Sequence, residues 1–96
     1  MSGRKLKTYP WDVVDHLDSD EAIAMYLDAV LEEDDPVLLA AALGDVARAK
    51  GMTSVSRETG LGRESLYKSL SENGNPEFAT VQKVIRSLGL KLRVTT

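Results

Sequence analysis

The stretch from Met52 to Ser71, MTSVSRETGLGRESLYKSLS, limits the fold more than any other part of the chain. It predicts two short helices meeting at Gly60, over about 53–59 and 63–71. Val55 and the small Ser56 lie on the inner side of the first, and Leu66 and Leu70 on the inner side of the second. A second helix crossing close over a first needs a small residue beneath it and a turn residue that accepts positive φ, which Gly60 does without a Cβ clash. Val55, Leu61 and Leu66 fall where such a crossing must be fixed. Arg63, Glu64, Tyr67 and Lys68 remain outward on one face of the second helix, as on a helix presented to a DNA groove. A second reading stands beside this one, in which two glycine-joined helices simply turn a charged face to solvent.

Charge is divided along the chain. The net charge of −3 over 96 residues hides a front half, to Ala47, with 3 basic and 11 acidic residues, and a rear half with 9 basic and 4 acidic. The front therefore carries −8 and the rear +5, and the helix pair lies in the positive half. Such asymmetry points to two surfaces with different partners. The positive half suits phosphates, where counterion release supplies affinity, and the negative half faces something other than DNA. The length allows one domain with one modest core, and plentiful aliphatic but few aromatic residues suit packed helices. With no cysteine and a single histidine, His16, there is no thiol chemistry and no metal-ligand spacing, and no glycine-rich phosphate loop occurs. An enzyme is not expected, nor a cofactor or metal. The basic start MSGRKLKTYPW lacks the apolar run of a signal peptide, and no apolar stretch reaches membrane-spanning length, so a cytoplasmic chain without membrane contact is expected.

From the front, Pro10 opens a short amphipathic turn, WDVVDHL, bearing Trp11. Asp18 or Ser19 caps a helix from Asp20 to Glu32 or Glu33, with Ile23, Leu27, Val30 and Leu31 as its stripe and Tyr26 alongside. Glu32, Glu33, Asp34 and Asp35 follow, either as a solvated loop or as a patch for a basic partner; a calcium loop would need alternating ligands and a turn glycine that are absent. Asp35-Pro36 is a helix start, and PVLLAAALGDVARAK reads as a buried central helix ending at Gly51. Gly44 inside it costs about 1 kcal/mol in propensity, which close approach of another helix would justify. Asn73, Gly74, Asn75 and Pro76 break the chain, and a last helix over 77–88 turns Phe78, Val81, Val84, Ile85 and Leu88 inward. LKLRVTT then alternates Leu90, Leu92 and Val94 with polar residues, the pattern of a strand. A lone strand leaves its hydrogen bonds open, so pairing with the same strand of a second copy is expected.

The run ALGDVARAKGM, then ETGLGRESLYKSLSENGNPEFATVQKVIRSLGLKLRV, resembles the rear half of a family of bacterial addiction-module antidotes. YPWDVVDHL, DEAIAMYLDAVLEED and DPVLLAAALGD resemble its front half, so the likeness runs from about Lys7 to Val94. These are HigA-like antitoxins with a lambda-repressor-type helix-turn-helix, usually encoded beside a RelE/ParE-superfamily toxin. Where such chains read LSRESLY, this one reads LGRESLY, so Gly62 replaces a capping serine at a loss of a few tenths of a kcal/mol.

The resemblance implies an all-α, lambda-repressor-like domain of five or six helices with a carboxy-terminal strand pairing across a homodimer. Residues 1–34 would hold the toxin, 35–88 form the helix-turn-helix core, and 89–96 the dimer strand of Leu90, Leu92 and Val94. Arg63, Glu64, Tyr67 and Lys68 are expected in the major groove of operator DNA, with Arg63 best suited to guanine. Thr53, Ser54, Asn73 and Asn75 are expected on phosphates. Trp11, Asp20, Tyr26, Glu32, Glu33 and Asp34 are expected against a basic toxin. A stand-alone phage-type repressor without a toxin is the alternative, and a neighbouring small, basic reading frame separates the two.

Overall fold

Helix-start and helix-stop chemistry divides the chain where the sequence says it should. The computed structural model describes residues 17–96; the expected amino-terminal turn, with Trp11 and His16, lies outside them. Ser19 precedes α1 (Asp20–Leu31) and its Oγ accepts the Ala22 N–H at 3.1 Å. Asp35 precedes α2 (Pro36–Lys50), its Oδ1 accepting the N–H groups of Val37 and Leu38 at 3.0 and 3.2 Å. A cap of this kind contributes about 1 kcal/mol, and Pro36 at the first position has no N–H to satisfy. Between these helices the Glu33 and Asp34 N–H groups bond to Val30 and Leu31 carbonyls, and Asp34 takes φ +54°. Aspartate tolerates that left-handed conformation better than most residues.

Gly51 ends α2 at φ +110° and immediately precedes α3 (Met52–Thr59), so the two helices meet at a single residue. Gly60, at φ +76°, ends α3, and α4 (Arg63–Ser69) begins three residues on. α5 (Phe78–Ser87) follows the Asn-Gly-Asn-Pro break and stops at Gly89. α2 is the central element, touching α1, α3 and α4, while α5 lies on α3. Leu43, Leu66, Leu88, Val30, Val46, Val55 and Val84 fill the middle with essentially no exposure. Each such side chain contributes about 1.5–3 kcal/mol through burial.

Besides Leu31 of the expected α1 stripe, which is 44 % exposed at the helix end, two expectations fail. The described residues contain five helices and no strand, and nothing after Leu88 is regular. Instead, the Leu90 N–H bonds back to the Ile85 carbonyl at 3.2 Å, and its side chain packs on the core. That contact satisfies the first apolar position of LKLRVTT locally, and Leu92 and Val94 lie on the surface without a ladder partner. The second failure is Phe78, expected inside but 67 % exposed. It stands in the first turn of α5, ahead of where Val84, Ile85 and Leu88 make the helix's buried contact.

Candidate nucleic-acid interface

The outward face of α4 is built by what holds its other face down. Leu66 and Leu70 are buried in the core, which turns Arg63, Glu64, Tyr67 and Lys68 to solvent, with Tyr67 44 % exposed. None of these four side chains engages in a hydrogen bond or ion pair among the described residues. Depth of seating comes from Gly44. A Cβ built there would lie 2.1 Å from the Leu70 carbonyl oxygen, so α4 ends against bare backbone of α2. The close approach that justifies a mid-helix glycine is therefore real, and its partner is the end of α4.

The turn into α4 is tied by side chains that sequence patterning misses. Thr59 Oγ1 donates to the Val55 carbonyl at 2.8 Å and accepts the Leu61 N–H at 3.2 Å, while the Ser56 hydroxyl donates to the Leu61 carbonyl. Ser56 is thus more than the small residue a helix crossing needs, because it also closes the turn. A threonine one residue before a positive-φ glycine is the signal that points to such a tie, since these hydroxyls compete for backbone groups at helix ends. Thr59→Val keeps the shape and removes both bonds. It is expected to destabilise by about 1 kcal/mol, read as a lowered midpoint in urea unfolding with an unchanged slope.

Gly62 caps α4 in an extended conformation, φ −69° and ψ 147°, and no side-chain cap bond is made there among the described residues. The nearest atom to a Cβ there is Ser65 Oγ at 4.0 Å. Gly62→Ser therefore fits, adds a cap acceptor and restricts the unfolded chain. A gain of about 0.5–1 kcal/mol is expected from the two effects, measurable as a raised melting temperature.

Thr53 is exposed and Ser54 half-buried in the first turn of α3, and Asn73 and Asn75 are exposed in the loop after α4. The side chains expected against a toxin are less uniform, and Trp11 lies outside the described residues. Asp20 is exposed at the start of α1, its Oδ1 3.7 Å from Lys50 Nζ. Glu32 and Asp34 are exposed and Glu33 half-buried beyond the other end of that helix. A helix of 12 residues separates the two groups by about 18 Å, so they do not form one patch. Tyr26 packs against the core and its hydroxyl donates to Asp45 Oδ2 at 3.2 Å. Burial pushes that hydroxyl's pKa well above the ordinary tyrosine value; Asp45's charge and hydrogen bond add to the rise, and Arg48, paired with Asp45, opposes it. Among the described residues no group of His, Cys, Asp and Glu is placed to hold a metal, and no helix is long and apolar enough to cross a membrane.

The structure thus seats one short helix on a glycine and turns its charged face to solvent. The chain belongs to the addiction-module antidotes: a family model described as "probable addiction module antidote protein" matches residues 7–96. A protein of Haemophilus influenzae strain Rd, described as uncharacterized, is 50 % identical over 84 residues, covering 88 % of this chain and 87 % of its own. No solved structure matches. Membership makes this chain the antitoxin of a toxin–antitoxin module, a regulatory protein with a toxin for a partner and not an enzyme.

Proposed function

We propose that this antitoxin is a HigA-like, cytoplasmic homodimer that neutralises a RelE/ParE-superfamily toxin and represses its own operon. In this reading α3 and α4 form a lambda-repressor-type helix-turn-helix. The observation that carries it is the outward face of α4, where the Arg63, Glu64, Tyr67 and Lys68 side chains have no partner among the described residues while Leu66 and Leu70 anchor the helix. Arg63 at the helix start takes a guanine edge, and Tyr67 and Lys68, one turn on, reach neighbouring bases or phosphates. Thr53, Ser54, Asn73 and Asn75 position the reader on the backbone. The toxin is held by the front half, whose charge of −8 complements a basic partner and leaves the rear half, at +5, to the DNA.

The test is binding to the chain's own promoter fragment at two salt concentrations, together with co-purification of the protein encoded beside it. Specific binding that weakens as salt rises is expected, because phosphate contacts release counterions. Binding no tighter than to unrelated DNA of the same length would overturn the repressor reading. Failure of the neighbouring basic protein to co-purify would leave a repressor without a toxin of this superfamily.

A further inference from the structure

The outer face of α1 and the chain beyond α5 enclose an apolar groove of about 580 Å³. Met25, 73 % exposed, and Leu31 line it from α1, and Leu92 from the other side. Val94, close by in sequence, is 99 % exposed. Asp28 stands on one wall and Lys91 and Arg93 on the other, and none of the three has an ion pair among the described residues. Apolar side chains gathered on a rim of unpaired opposite charges mark a contact surface.

We infer that this groove is the face on which two copies of the chain meet, Asp28 of each copy lying opposite Lys91 and Arg93 of the other. The inference rests on the homodimer reading above and names its surface. The charge pattern selects the occupant. A two-fold contact brings one patch against itself, so the patch must carry both halves of every complementary pair. This one does, with an anion on α1 and cations on the tail. A strongly basic partner would meet Lys91 and Arg93 unfavourably, and a strongly acidic one would meet Asp28. The contact is made by side chains, with Met25, Leu31 and Leu92 packing across the axis, and requires no pairing of strands.

Charge reversal in trans provides the test, using the full chain and sedimentation equilibrium over a range of concentrations at low salt. Asp28→Lys places like charges at both symmetry-related contacts, and so does Lys91→Glu with Arg93→Glu. Each variant is expected to raise the dimer dissociation constant by roughly tenfold or more. An equimolar mixture of the two is expected to form heterodimers of near wild-type affinity, because every junction is then attractive. All three positions are exposed, and helical circular dichroism checks that folding is retained. Met25→Glu, which puts a charge where an exposed apolar side chain lines the groove, should weaken the dimer as well. A dimer indifferent to these changes, or a mixture that gains nothing, would overturn the inference while leaving the homodimer reading intact. A wild-type chain that stays monomeric throughout would end both. Lost toxin binding with unchanged self-association would assign the groove to the toxin instead.

Discussion

Gly44→Ala is expected to lower the melting temperature by roughly 8–16 °C, although alanine is the better helix former. In an open helix interior the change would stabilise by about 1 kcal/mol. Here the added carbon would sit 2.1 Å from the carbonyl oxygen of Leu70. That obstacle is backbone, and no rotamer change removes it. Either α4 retreats and opens the packing around Leu66, or α2 bends. Overpacking of this kind costs about 3 kcal/mol at the upper end of the usual range, leaving a net loss of about 2 kcal/mol, which gives the stated shift for a domain of this size. Thermal unfolding followed by circular dichroism measures it. A variant as stable as the parent would mean that α4 is not seated on Gly44. If the proposed reader is correct, promoter binding should fall further than the folded fraction explains, because the helix that carries Arg63 has moved.

Arg63→Ala should act on binding and leave the fold alone. Its side chain is exposed and contacts no partner among the described residues, so truncation removes nothing the core uses. On the proposed reading, loss of one bidentate base contact should weaken binding to the chain's own promoter by about 1–3 kcal/mol and relax preference at one position of the site. Fluorescence anisotropy with native and base-substituted fragments reads both effects. Rescue of cell growth from the toxin should be unaffected if, as proposed, the front half of the chain performs it. Parallel loss of promoter binding and growth rescue would argue that one surface serves both partners.

Most of the helical frame is legible in the amino-acid sequence, because local chemistry sets it. Asp35-Pro36 and Ser19 start helices whatever surrounds them, and Gly51, Gly60 and Gly89 stop helices through their positive φ. Gly44 is intermediate: its propensity cost signals a close neighbour, but only the three-dimensional arrangement reveals that Leu70 is that neighbour. Alternation misleads in LKLRVTT, because a strand is a property of two backbones and one sequence shows only one of them. Phe78 misleads for a related reason. Helical periodicity assigns a face, but it does not say how far the neighbouring helices extend along it. Tyr26 shows the limit for site residues, since its place in the acidic front half suggests a partner's surface while its hydroxyl serves Asp45 within the chain. The roles of Arg63, Glu64, Tyr67 and Lys68 depend on molecules other than this one, and their outward direction is as far as the folded chain alone carries them.

The division of labour on α4 bears on how such modules diversify. Positions 66 and 70 answer to the interior, whereas 63, 64, 67 and 68 answer only to whatever approaches from outside. Replacements at the latter carry little folding penalty, so copies of the gene within one genome are free to drift there. If α4 reads DNA as proposed, they would acquire separate addresses and stop cross-talking while keeping a common scaffold.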